Sequence, residues 1–265
     1  MSWQRYDLVF RLLTPLHIGW RKTSNLLQTR GYVPGKNQWA ALTARLTREY
    51  GNGAEGGCYR EIGKQVQQHF RFSYLYPARS DGDGYKVHYP WEADFDYLFL
   101  GSYASAALDY TSQSAADSLL HEAEFVAPRT RDDRPVYLAG TVYARTPLPT
   151  RLDKWQNVLD KLQFGGEQCY GWGRVRRIMC QQDEAYGGDE PKVQLAKNDP
   201  ITAHLKAEGT TGVTGPIEPL IGWERNNKKG KPRWTLSKEA IICYAPGAVV
   251  TAENMFTLGH HSIWE

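Results

Sequence analysis

The sequence has 265 residues, 41% hydrophobic and 23% charged, which is enough apolar material for a sizeable core and argues against a disordered chain. That length suits one large domain or two small ones and excludes a repeat array. The net charge is only +3, no run approaches the roughly 18 apolar residues of a membrane span, and Met1-Ser-Trp-Gln-Arg lacks a secretory signal pattern, so a membrane or secreted protein is not expected.

Residues 6–13 are β-rich with partial alternation and predict a strand, ended by Thr14-Pro15. Residues 14–35 read as a loop with two prolines, three glycines and the basic Arg21, Lys22 and Arg30. Over 37–50, Trp39, Leu42, Leu46 and Tyr50 fall on one helix face, with Asn37 as N-cap and Pro34-Gly35 breaking the chain before it. Residues 51–57 are a glycine-rich connection. The stretch 58–125 holds a helix at 59–68, an acidic turn at Asp81-Gly-Asp-Gly, an aromatic run at 89–99 and a small-residue helix near 113–121, and it reads as an insertion into a simpler core.

Residues 124–128 and 135–146 predict two strands joined by the polar turn Arg129-Thr-Arg-Asp-Asp-Arg134. Leu152, Trp155, Val158, Leu159 and Leu162 mark a second helix face, which Thr150 and Asp153 open as a capping-box-like pair. Gly165-Gly-Glu-Gln-Cys-Tyr-Gly-Trp-Gly173 and a strand over 174–180 follow. With 58–125 set aside, the order matches an α+β, ferredoxin-like (RRM-like) β-α-β-β-α-β unit. The predicted organisation is a domain over 1–180 with an insertion at about 51–123, then a β-rich extension or second small subdomain over 181–265, entered through a polar linker at 183–200.

Charge is segregated. Residues 1–50 carry net +6, 51–125 net −6, 126–180 net +5 and 181–265 net −2. If the two basic segments meet in the fold, they form a positive face of the kind that receives a phosphate backbone. Cys58, Cys169, Cys180 and Cys243 form no C-x-x-C pair, so four reduced thiols in a cytoplasmic protein are expected. His260 and His261 are adjacent and point to opposite faces of an extended chain, which disfavours a metal pair. Asp81/Asp83 and Asp94/Asp96 read as solvated acidic turns. No metal and no cofactor is expected.

Three motifs carry chemistry. In the glycine loop at 165–173, glycines precede a strand, whereas Walker and dinucleotide loops precede a helix. Exposed amides, Tyr170, Trp172 and the following Arg174, Arg176 and Arg177 would suit an RNA backbone and its bases; a tight packing turn with Trp172 in the core is the competing reading. The basic loop 15–36 leads into a helix N-terminus, which favours phosphate, and His17 is a weak candidate general base. Lys228, Lys229, Lys231 and Arg233 beside Trp234 are a further possible phosphate contact, equally explained as a hairpin turn.

Three blocks, LTPLHIGW (13–20), RGYVPGKNQWAALTARL (30–46) and LQFGGEQCYGWGRVR (162–176), resemble the CRISPR-associated RAMP superfamily, whose members build type III RNA-guided effector complexes. The resemblance implies ferredoxin-like folds that grip a guide RNA (crRNA), lie near target RNA, and pack against other RAMP subunits and a large polymerase-like subunit. By position, the RNA-contacting residues it implies are His17, Arg21, Lys22 and Arg30 in the first loop and Lys36 and Asn37 at the helix start. At the glycine loop they are Gly165, Gly166, Tyr170, Gly171, Trp172, Gly173 and Arg174. Arg129, Arg131 and Arg134 join them on charge.

Two departures from the family pattern matter. Family subunits that cut target RNA usually carry an aspartate between the first two blocks, and residues 17–35 hold no Asp or Glu. Its guide-processing nucleases carry the glycine loop close to the C-terminus, and here a long segment follows it. The expectation is a non-cutting guide-binding or capping subunit, of a type III-D-like complex; the alternatives are a metal-independent endoribonuclease acting through His17 on CRISPR repeat RNA, and a protein–protein scaffold.

Overall fold

The computed structural model describes residues 2–50, 56–106, 108–111, 113–115, 120–225, 234–236 and 240–265. Its elements begin with β1 (Ser2–Leu12), β2 (Gly19–Thr23), β3 (Leu26–Thr29), α1 (Gly35–Tyr50) and α2 (Gly56–His69). There follow β4 (Phe70–Phe72), β5 (Tyr76–Asp81), β6 (Gly84–Val87), α3 (Phe95–Phe99), β7 (Leu100–Ser105), β8 (Leu108–Asp109), β9 (Ser114–Ala115), β10 (His121–Val126) and β11 (Tyr137–Thr146). A 3-10 helix (Trp155–Lys161) and a 3-10 turn (Gln168–Tyr170) lead to β12 (Val175–Asp183). The C-terminal part holds β13 (Lys192–Leu195), β14 (Leu205–Lys206), β15 (Val213–Thr214), β16 (Ile217–Leu220), β17 (Trp223–Arg225), β18 (Trp234–Leu236), β19 (Ile241–Tyr244), β20 (Val249–Val250), β21 (Asn254–Thr257) and a 3-10 turn at His260–Ser262.

The fold is mixed α+β, mostly sheet. In the main sheet β12, β1, β11, β5 and β6 lie side by side, with β4 also on β11. The neighbours of β1 and β11 in it are all antiparallel, and β1 pairs with β11 from Ser2↔Thr146 to Arg11↔Tyr137. Strand alternation sorts the side chains onto two faces. Tyr6, Leu8, Phe10 and Leu12 join Leu138 and Val142 against Leu42 and Leu46 of α1, Ile62 and Val66 of α2, and Trp155, Val158 and Leu159. On the opposite face Trp3, Tyr74, Tyr76 and Tyr143 pack against Ile201, Leu205, Val250, Phe256 and Trp264. The C-terminal part is thus a second layer on the same sheet.

The α1 stripe forms as expected: Leu42 and Leu46 are buried, and Trp39 and Tyr50 pack against the core. The helix starts earlier than its sequence suggests, because the carbonyl of Pro34 accepts from the amides of Asn37 and Gln38. Asn37 therefore lies in the first turn and is not the N-cap. The second helical stripe is also buried, but as a 3-10 helix; the three-residue steps Leu152, Trp155 and Val158 suit that tighter period.

Other expectations are corrected. Residues 14–35 hold a β2–β3 hairpin, turned at Ser24 with φ 53°, where a wholly exposed β2 had hidden the strand pattern. The predicted strand at 124–128 does form, as β10, but it pairs with β3 and β7 and belongs to a separate four-stranded sheet. The place beside β11 goes to β4 and β5, because Phe70, Phe72 and Leu75 extend the apolar face there. The stretch expected as an insertion thus supplies α2 and β4–β6 to the main body. Of the helix expected near 113–121, residues 116–119 lie outside the described residues; among the rest Gln113 is a turn residue with φ 52°, β9 holds Ser114–Ala115 and β10 starts at His121. No helix among the described residues is long and apolar enough to cross a membrane.

Candidate nucleic-acid interface

The chain leaves β1 through Thr14–His17 and meets the glycine loop at once. The amide of Gly173 donates to Pro15 O (2.7 Å), that of Gly166 to His17 O (2.8 Å), and that of Arg174 to Thr14 Oγ1 (2.9 Å). The Thr14 hydroxyl donates to Gly171 O (2.9 Å). Two segments 149 to 160 residues apart in sequence are laced together at the end of the central strands. Glycine is required at two positions. A Cβ on Gly165 (φ 79°) would lie 2.2 Å from His17 O, and one on Gly173 (φ 75°) would lie 1.8 Å from Phe164 O.

This lacing corrects the expectation of a loop with free amides. The amides of Gly166, Tyr170, Gly171, Trp172 and Gly173 all donate within the protein. What the loop offers a polymer is close approach, and the donors come from side chains around it. His17 is buried, and its Nδ1 lies 2.7 Å from Glu124 O. Nδ1 therefore carries the proton and serves packing.

Around this junction runs a chain of three hollows. The first, about 620 Å³, is lined by Ile18, Gly19, Arg30, Lys36, Asn37, Gly165 and Gly166, and on its far wall by His204, Leu220 to Gly222, and His261. Asn37 and Gly165 also line the second, about 300 Å³, which follows α1 past Ala40, Ala41, Ala44, Arg45 and Arg48 and is closed by Lys161 and Gln163. Arg45, Lys161 and Gln163 continue into the third, about 340 Å³, with Arg174 and Arg176. The result is one groove between α1 and the glycine loop. Asn37, Ala40, Ala41, Ala44 and Arg48 share a helix face, and its alanines let a ligand backbone come near.

The groove is cationic. Arg48, Arg174 and Arg176 are exposed and have no acidic partner among the described residues. Glu49 takes ion pairs from Arg45 and, at 2.9 Å, from Lys161. The hydrogen bonds from Lys161 and Arg45 hold its carboxyl below the ordinary glutamate value. Asp160 pairs with Arg177 at 3.0 Å. Arg45, Arg48 and Lys161 were not predicted; on sequence alone they look like solvated helix faces, and the signal beside them is the alanine stripe, whereas Arg176 belongs to the basic run already noted after the glycine loop.

The predicted residues divide. Arg30, Lys36, Asn37, Gly165 and Gly166 line the first hollow, the buried His17 bonds Gly166 through its carbonyl, and Arg174 lies on the third. Arg30 is not available to a ligand: both its terminal nitrogens bond Glu218, at 2.7 and 3.0 Å, and it reaches the Tyr32 hydroxyl at 2.9 Å. Arg21 and Lys22 stand on the exposed hairpin, where the Arg21 guanidinium lies 4.1 Å from the Trp20 ring centre. Tyr170 and Trp172 face a separate cleft, with Trp172 edge-to-face on Phe125 at 5.2 Å.

Arg129 pairs with Asp133, and Arg134 with Asp132, which Arg79 of β5 also approaches at 3.5 Å. Arg131 packs over Tyr97. That turn's charge is offset locally, and none of its arginines lines the three hollows. The basic run 226–233 lies outside the described residues.

No family model matches the chain, and no curated protein is similar to it. Among solved structures it is similar to a chain of the cryo-EM structure of the Type III-B Cmr-beta bound to cognate target RNA and AMPPnP, with a TM-score of 0.50 and 13% identity, covering 92% of this chain and 85% of that one. At that identity the likeness is one of fold: the mixed α+β, sheet-rich architecture is shared with that chain.

Proposed function

We propose that this chain is an RNA-binding subunit of a type III CRISPR effector complex, holding the guide RNA (crRNA) along the groove between α1 and the glycine loop. The observation that carries the reading is the continuity of that groove, with Lys36, Arg45, Arg48, Lys161, Arg174 and Arg176 spaced along one path. A path of cations beside small residues suits a ribose-phosphate backbone, read by charge and shape. The fold shared with a chain of the Cmr-beta complex and the three RAMP-like blocks support the same reading. We take the main-sheet order, with helices between β1 and β4 and between β11 and β12, as ferredoxin-like.

In this reading the subunit is cytoplasmic and does not cut. Residues 17–35 offer no carboxylate, and the His17 ring is engaged in packing. Its partners are crRNA, target RNA, other RAMP subunits and a large polymerase-like subunit. The test is fluorescence anisotropy of the full chain with a single-stranded RNA of repeat-derived sequence across a salt series. Binding weakens steeply with salt, and Arg48→Ala, Arg174→Ala and Arg176→Ala, which remove cations with no acidic partner among the described residues, each lower the salt slope by about one. No binding at about 50 mM salt, or slopes indifferent to all three substitutions, overturns the reading.

A further inference from the structure

A second cleft, about 460 Å³, is lined by residues that line none of the three hollows of the groove. Its floor is one face of the β7–β10 pair, whose register sets Tyr103 opposite Ala123, Ser105 opposite His121 and Gly101 opposite Phe125. The small partners keep the floor open: Ala123 leaves room beside Tyr103, and a Cβ on Gly101 would stand 3.0 Å from the Phe125 ring. Tyr170 and Trp172 of the loop form the facing wall. Tyr103 is 61% exposed and Tyr170 80% exposed, two large rings left to solvent across one opening.

The polar chemistry of this cleft is unlike that of the groove. No lysine or arginine is among the described residues lining it; Glu167 is its charged side chain, and the Ser105 hydroxyl and His121 Nε2 meet at 2.9 Å. A phosphate would be repelled. A flat ring with N–H donors on its edge would find ring faces for stacking and a carboxylate acceptor. The two sites adjoin: Gly165 and Gly166 line the groove, and Glu167, the next residue, lines the cleft.

We propose that this cleft binds an unstacked nucleobase of the RNA strand whose backbone follows the groove. The proposal rests on the groove reading and adds a base site to it. Stacking between a base and an aromatic side chain is sequence-tolerant, since every base presents a π-face.

The experiment compares two single-stranded RNAs of equal length, an oligoadenylate and its abasic analogue, titrated against the full chain and against Tyr103→Ala and Tyr103→Phe. The expected result is that oligoadenylate binds about fivefold tighter than the abasic strand or better, the low end for base–aromatic stacking. Tyr103→Ala reduces that advantage, Tyr103→Phe retains it, and abasic binding is the same in all three proteins. Equal binding of the two RNAs, or an advantage indifferent to Tyr103→Ala, overturns the base site and leaves the groove standing. Failure of both RNAs to bind overturns the groove reading and the base site with it.

Discussion

Arg30 and Glu218, 188 residues apart in sequence, form a two-pronged pair at 2.7 and 3.0 Å with both side chains largely buried. Glu218 also accepts from His204 Nε2 at 2.6 Å and from the Trp20 indole at 3.2 Å, and His204 Nδ1 accepts from the Tyr74 hydroxyl at 2.6 Å. Burial alone would raise the Glu218 carboxyl; the bonds from His204 and Arg30 outweigh it and hold it far below the ordinary value. His204 is neutral in this network, because burial disfavours its charged form and Arg30 stands beside it. The pair ties the first basic loop to the C-terminal layer. Glu218→Gln leaves a buried guanidinium uncompensated and is expected to cost about 3 kcal/mol or more by urea unfolding. Arg30→Met, which removes the cation itself, is expected to leave RNA affinity nearly unchanged at every salt concentration.

Acid should weaken the fold in two stages. His204 is depressed below 6.5 by burial, and His261 is pushed down to about 4, first by burial and then by Lys36, His260 and Arg71. A histidine with a depressed folded-state value favours folding above its unfolded value of 6.5, and that contribution is lost as pH falls towards the folded value. The Glu218 contribution is present above 4.5 and is lost as pH falls further. Melting temperature is therefore expected to decline from about pH 6.5 downward and more steeply below about 4.5. His261 has φ 55°, a conformation asparagine also adopts, so His261→Asn should flatten the decline between pH 6.5 and 4. An unchanged pH profile in that variant would refute the assignment.

The glycine loop gives a paired test of packing against mere turn geometry. Gly165→Ala drives a methyl into the His17 carbonyl at 2.2 Å, and the loop must separate from the first strand's exit. Gly171 has φ 81° with nothing within 4 Å of a Cβ, so Gly171→Ala meets only the left-handed backbone penalty, about 1–2 kcal/mol. Comparable unfolding midpoints for the two variants would mean that the laced contact carries little of the stability.

What the sequence made legible is what local periodicity encodes. The spacing of Leu42 and Leu46, and of Leu152, Trp155 and Val158, each marked a buried stripe. The approach of the first basic loop to the glycine loop was only a condition in the sequence, because two basic segments repel and the bonds that join them are between backbone groups and the Thr14 hydroxyl. Pairings between distant strands were not legible: β10 alternates as a core strand would, and only the competition from β4 and β5 excludes it from β11. Nor was the fate of Arg30, since Glu218 is one acid among many in the C-terminal segment until folding sets it opposite. Arg48 and Lys161 carry no signature of their own, and they gain meaning from the alanine face and the hollow between them.

Glu49 offers the sharpest test of whether the groove receives a polyanion. It bridges Arg45 on its own helix to Lys161 of the 3-10 helix, and so occupies two cations that line the second and third hollows. A strand of phosphates entering there must compete with that carboxylate. Glu49→Gln removes the competing charge and retains the shape. Its expected effect is several-fold tighter RNA binding at low salt, and a steeper salt dependence as both cations engage phosphate. Anisotropy titrations of Glu49→Gln and the unaltered chain at matched salt concentrations measure both quantities. Weaker binding by Glu49→Gln would mean that the bridge shapes the groove more than it blocks it, and would move the RNA path away from Arg45 and Lys161.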